Sequence, residues 1–320
     1  MARNFLIFDT DGGVDDAQAL VMLVANGVVP DAVTTVFGNV GLDIATNNML
    51  ATLAILGVDV PVHTGADRPL TQPIIDAKYV HGEDGLGGAP RPTIIPSPAS
   101  NDAIGFLRST FRAAAAKAEK ADILMIGPLT NLALALQRDP SIKAGIGTLT
   151  IMGGTVYGRG NSTPASEFNI YADPEAAHIV LTAGLETVVV PWEPCTTHFM
   201  TGDRVDALFA STPAGQVRDF SKALVDHTRG LNQKYGTPDR FRYVDPLAAA
   251  VVLDPSMVTK SIVASTSVAL EPGLTRGMTL VDPSGRLGTP KITFVEEVDL
   301  AKVDALYARS IAYSPTKQTN

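Results

Sequence analysis

Residues 4 to 8, NFLIF, form a short apolar run suited to a buried strand, and DDAQALVMLVANG after it has the helical period, closed by Gly27. The pattern then repeats. DAVTTVFGNV reads as strand and loop, DIATNNMLATLAILG as helix, ADILMIG as strand, PLTNLALALQRD as helix and GTLTIMGG as strand. After a long loop, DPEAAHIVLTAG is a helix with Asp173 as N-cap and Pro174 at its first position, and LETVVVPW is a strand ending at Trp192. Such alternation predicts an α/β fold with a mainly parallel central sheet flanked by helices, and ligands bound outside the carboxyl ends of the strands. After Pro255 the rhythm turns β-rich through SIVASTSVAL, GMTLVD and KITFVEEVD, before a closing helix LAKVDALYARSIA. This part is expected as a C-terminal β-rich layer appended to the same domain, so that 1–320 is one domain. The Pro-rich run at 88–100 reads as a loop, and FRAAAAKAEKA as a solvated Ala-rich helix.

Composition narrows the partners. A 320-residue chain that is 45% apolar can bury a large core, and its net charge of −8 argues against nucleic acid or an anionic membrane as partner. The single cysteine, Cys195, excludes a disulfide framework and a thiolate metal cluster. Acidic residues cut off the first apolar run before it reaches signal-peptide length, and no segment approaches the roughly 20 apolar residues of a membrane helix. A cytoplasmic protein is expected.

The chemistry concentrates at the first turn, where Asp9, Asp11, Asp15 and Asp16 fall within eight residues. Carboxylates this close repel unless some stay protonated or a cation joins them, and a hard metal ion is the simplest such partner. Asp15 and Asp16 open the first helix, where the unpaired amides favour negative charge. Adjacent helical residues point about 100° apart, so one acid can hold a metal while the other faces substrate or water. An acidic cap without metal needs only one acid, and an EF-hand fails on register, with Val14 at the sixth position and Leu20 at the twelfth.

DTDGGVDDAQAL resembles the calcium-site motif Asp-x-Asp-Pro-Gly-x-Asp-Asp of the inosine–uridine nucleoside hydrolase family. VFGNV, HGEDGLGG, GPLTNLALAL, GNSTPASEFNIYADPEAAHIV and VDPLAAAV continue the resemblance in family order, from residue 5 to about 255. It implies hydrolysis of the N-glycosidic bond of ribonucleosides, with Ca²⁺ held by Asp11, Asp16, Asp245 and the carbonyl of Ile126. Asp15 is then the general base, and Asn39, His81, Asn161, Glu167 and Asn169 line the substrate. A homodimer or homotetramer is implied as well. Two positions depart from the pattern. Gly12 stands where the family usually has Pro, which is expected to loosen the turn without changing its geometry. Val244 stands where many members carry a histidine that protonates the leaving base. His81, Trp192, Tyr235, Arg240, Arg242 and Tyr243 are the replacements to weigh, and without the imidazole purine nucleosides such as inosine and adenosine should be favoured. Two rivals remain: a haloacid dehalogenase-type phosphatase with Asp9 as nucleophile, and a calcium-dependent nucleoside binder without activity.

Overall fold

The computed structural model describes residues 3–315; of the expected domain 1–320, residues 1–2 and 316–320 lie outside the described residues. In chain order, β1 (Phe5–Thr10) leads into α1 (Val14–Ala25), β2 (Ala32–Thr35) into α2 (Leu42–Leu56), and β3 (Val62–Thr64) into the single turn α3 (Lys78–His81) and α4 (Ala103–Ala116). β4 (Ala121–Met125) is followed by α5 (Thr130–Arg138), β5 (Ile146–Met152) by α6 (Phe168–Ala172) and α7 (Pro174–Leu181), and β6 (Thr187–Val190) by α8 (Trp192–Thr197). β7 (Phe199–Thr201), α9 (Gly202–Ser211), α10 (Gln216–Lys234) and β8 (Arg240–Arg242) make an excursion before α11 (Asp245–Leu253). The chain closes with β9 (Val258–Val268), β10 (Thr279–Asp282), β11 (Lys291–Val298) and α12 (Leu300–Ile311).

Nine strands form one sheet in the order β10-β9-β11-β6-β5-β4-β1-β2-β3. All neighbours are parallel except those of β9, which runs antiparallel to β10 and β11. From β1 the chain moves outward to β2 and β3, then returns to place β4 on the other side of β1. That reversal opens a crevice above the carboxyl ends of β1 and β4, where doubly wound sheets bind ligands. One buried cluster covers each face of the sheet. α1 belongs to the first and is buried along nearly its whole length, as a helix apolar on all sides must be. α4, α5 and α7 pack their apolar sides into the second.

The elements expected from the apolar pattern are present, with informative differences. The β-rich C-terminal part is appended in the plane of the sheet, β11 pairing with β6, and does not stack as a separate layer. Trp192 starts α8 and does not end a strand. The Ala-rich helix stops at Ala116, and Ala118 takes a φ of 56° in the turn that follows. Asp173 caps α7 as expected, its carboxylate accepting from the Ala176 amide, with Pro174 next in the chain.

Candidate active site

Each strand end brings one part of the site. Asp9 and Met125 are register partners in β1 and β4, and the Ile126 amide donates to the Asp9 carbonyl at 2.9 Å. Ile126 therefore leaves its strand beside the acidic turn. Asp16 organises that turn: its carboxylate accepts from the amides of Asp11, Gly12 and Gly13, from the Thr10 hydroxyl and from Asn39 Nδ2. Asp11 accepts from the Asn39 amide at 2.7 Å and from Asn39 Nδ2 at 2.9 Å, so one asparagine side chain spans both acids. Gly38 makes this possible, because a Cβ there would lie 2.0 Å from Asp11 Oδ2. Gly12 has a φ of 70°, and a Cβ on it would lie 2.4 Å from Ala45 Cα. Proline, fixed near −65°, cannot take that backbone, so the glycine sets a different turn and does more than relax a proline one.

Carboxylate oxygens of Asp15, Asp16 and Asp245 lie within 4.8 Å of one another. At an effective dielectric of about 20, each ionised pair at that distance repels by about 3.5 kcal/mol, so the three together cost about 10 kcal/mol, the scale of a domain's whole stability. Among the described residues no lysine or arginine pairs with Asp11, Asp15, Asp16 or Asp245. Burial first, and the neighbouring acids second, accordingly push Asp11 and Asp245 well above the usual carboxylate range and Asp15 to about 7. Asp15 Oδ1 is buried without a hydrogen-bond partner. Crowded acids that no cation pairs with, with Ile126 in the same cavity wall, are a donor set fitted to a hard divalent cation; the cluster within 4.8 Å holds Asp15, whereas Asp11 lies outside it with both oxygens accepting from Asn39.

Around this centre lies a cavity of about 330 Å³, lined by Asp15, Asn39, His81, Ile126, Asn161, Glu167, Asn169 and Asp245 among others. Its volume suits one small molecule. All the expected substrate-side residues meet here. Asn161 Oδ1 accepts from the Phe168 amide, Glu167 caps α6 by accepting from the amides of Asn169 and Ile170 and also from Gly154, and Asn169 Nδ2 donates to the Ile126 carbonyl at 2.9 Å. Burial raises Glu167 to about 7 against the pull of those amides. His81 Nδ1 accepts from the Val14 amide at 3.1 Å, and burial holds its pKa near 4. Its approach to Asp15 Oδ1 at 3.6 Å is therefore a contact with a neutral ring and not an ion pair. Asp245 reaches the site from the start of α11, not from an end of the main sheet.

The structure also sorts the outlying candidates. Asp9 is wholly buried, accepts from Thr34 and Asn131 through Oδ2, and does not line the cavity. It cannot act as a phosphatase nucleophile there. Tyr243 is buried, donates to Asp304 and is pushed far above the ordinary phenol range by burial, so it supplies no acid to the cavity. Trp192, Arg240, Arg242, Val244, Tyr79 and Tyr235 do line it, the last two exposed at the mouth. Tyr79 and the residues that α10 contributes were not singled out in the sequence; the amphipathic period of 216–234 marks that helix, but not which side of it faces a ligand. α10 and the α3 turn are docked together, His227 Nε2 donating to the Val80 carbonyl at 2.8 Å.

Comparison with known proteins shows which family the whole chain resembles. A family model described as inosine-uridine preferring nucleoside hydrolase matches residues 6–305. The non-specific ribonucleoside hydrolase RihC of Salmonella enteritidis PT4 is 36% identical over 318 residues, covering 98% of this chain and 99% of the relative. Among solved structures, the plant nucleoside hydrolase PpNRh1 superposes with a TM-score of 0.87 at 29% identity, covering 97% of this chain and 99% of that one. A purine-preferring ribonucleoside hydrolase from Gardnerella vaginalis gives 0.85 at 26% identity, covering 96% and 98%.

Proposed function

Because the chain belongs to the inosine-uridine preferring nucleoside hydrolase family and is thus a nucleoside N-glycosidase, we propose that it works with calcium and favours purine nucleosides. The observation that carries this reading is the crowding of uncompensated acids at the floor of a cavity the size of one small molecule. Asp11, Asp16, Asp245 and the Ile126 carbonyl would hold the ion. Bound calcium supplies the positive charge that orients ribose hydroxyls and makes an adjacent water more acidic.

The protein's own groups do the rest. Asp15, with its unpartnered oxygen, takes a proton from the attacking water, and its burial gives it the basicity for that task. Asn161 keeps Nδ2 for a ribose hydroxyl, since Oδ1 is committed to the Phe168 amide. Glu167, Asn39 and Asn169 present fixed donors and acceptors to the sugar while positive charge grows at its anomeric carbon. His81 closes the wall beside Asp15. Val244 offers no proton to the leaving base, which supports a preference for purines, whose N7 accepts one; a pyrimidine has no equivalent ring nitrogen. We further read the chain as one domain over 1–320, cytoplasmic and a homodimer or homotetramer, with a nucleoside as its partner and neither nucleic acid nor membrane. Its acidic balance disfavours nucleic acid and anionic membranes as partners, and among the described residues no helix is long and apolar enough to cross a membrane.

The test is release of free ribose from inosine by the purified chain, abolished by chelation and restored by Ca²⁺. Ribose release unchanged after complete removal of calcium would sink the metal assignment. Tight nucleoside binding without any turnover would leave a binder instead of an enzyme.

A further inference from the structure

The short strand β8 alternates its faces. Phe241 points into an aromatic cluster with Tyr243 and Tyr307, at centroid distances of 5.2 and 4.9 Å, and is buried. Arg240 and Arg242, on the other face, line the cavity together with Phe241 and Val244. The strand is thus pinned by its aromatic contacts and places two arginines in the cavity wall. Arg240 lies over the Phe199 ring, its Cζ 5.0 Å from the centroid.

Neither cation is neutralised. Several other arginines find acids: Arg229 bridges Asp206 and Asp239, Arg276 holds Glu175, and Arg204 holds Asp304. No described acid pairs with Arg240 or Arg242, and the Nε of each, like those of Arg91, Arg108 and Arg218, is buried without a hydrogen-bond partner; of these five, Arg240 and Arg242 are the ones that line the cavity. Burial, and after it the charge of Arg240, hold Arg242 below the ordinary arginine value. Half-buried guanidiniums without partners are costly, and they lie in the wall of a ligand cavity.

The cavity lining therefore combines crowded acids with two cations that no acid neutralises. Heterolysis of an N-glycosidic bond calls for both: the sugar is left positive, and the base carries off the electron pair. Resting on the hydrolase reading above, we propose that Arg242, with Arg240 beside it, receives the departing base, donating to O6 and N7 of a 6-oxopurine. The C1′–N9 bond breaks, its electron pair passes to the base and spreads toward those atoms, and the guanidinium stabilises it there. Water forms the new bond to C1′ after giving a proton to Asp15. Solvent then protonates the base while Asp15 releases its proton, leaving ribose and neutral base. A fixed charge thus takes the role Val244 cannot fill. The fork of donors matches the two acceptors of an oxopurine edge, whereas the 6-amino group of adenine meets a donor with a donor.

The experiment measures kcat/KM of the full chain for inosine, adenosine and p-nitrophenyl β-D-ribofuranoside, whose leaving group departs as a stable anion with little help. Inosine should exceed adenosine at least about tenfold, within the reach of one matched hydrogen-bond pair. Arg242→Gln should cost inosine about 100-fold or more and the nitrophenyl riboside under about fivefold, since only the poor leaving group needs the charge. Arg242→Lys, which keeps charge and stem but not the fork, should still cost inosine about tenfold. Calorimetry should show hypoxanthine binding weakened in both variants. Equal losses on both ribosides in both variants, inosine turnover unaffected by Arg242→Gln, or adenosine cleaved as well as inosine would overturn the proposal. A wild-type chain inactive on every riboside would overturn the hydrolase reading and this one with it, whereas nitrophenyl turnover with an indifferent Arg242 overturns this one alone.

Discussion

The two proposed ends of the cavity, for sugar and for base, are built by opposite means. At the sugar end most side chains are locked: Asp16 is held by backbone amides and a hydroxyl, Asp11 by Asn39, Asn161 by Phe168, Glu167 by three amides, while Asp15 keeps one oxygen without a partner. At the base end Tyr79 and Tyr235 are exposed, and the arginines of β8 lack partners. Chemistry that is the same for every substrate gains from preorganisation, because donors already in place need no reorganisation as charge develops. Under the proposal above, recognition of a variable base falls to exposed tyrosines and to arginines that no acid holds.

That contrast can be broken from either side. The largest effect is expected at the sugar end: Asp11→Ala or Asp16→Ala should lose calcium, by elemental analysis, and cut turnover beyond about 1,000-fold, since each removes a charged ligand that no neighbour replaces. Asp15→Asn should keep fold and metal yet lower kcat by at least about 100-fold, because an amide accepts no proton. A rise in KM alone would recast Asp15 as a binding group. At the base end effects should be smaller and depend on substrate. Inosine should be cleaved with about tenfold higher kcat/KM than uridine, and a uridine preference would remove the argument drawn from Val244. Val244→His should bring the smallest change, about a threefold to tenfold gain confined to poor leaving groups. A uniform response across substrates would show that the ends are not separate.

The same division decides what was legible beforehand. Asp11, Asp15 and Asp16 stand out by their crowding at the turn after β1, whereas Asn39 and Ile126 follow from the family resemblance, although the strands β2 and β4 before them announce themselves locally. The order of strands is not legible, since it depends on which edge of β1 receives β4, a matter of long-range pairing. The base end is written in pieces too short to carry a period. α3 has four residues, and β7 and β8 have three each, paired across about forty residues of chain that the apolar rhythm does not resolve. Arg240 and Arg242 stand among six candidates in the sequence, and only their place in the cavity wall and their lack of acids single them out from Tyr243, which is buried away from it. The turn at Gly12 was misjudged for a related reason: its backbone is set by contact with Ala45 on α2, not by its own neighbours.

For anyone engineering this enzyme, that turn is a trap. Replacing residues by the commonest one among relatives is a reliable route to stabler proteins because most positions tolerate their family's average. In the family motif that this turn resembles the residue is proline, and the local backbone, with its φ of 70° and Ala45 pressed against it, has no room for the ring or its angle. A consensus library would therefore degrade the enzyme at the one turn that carries its four acids.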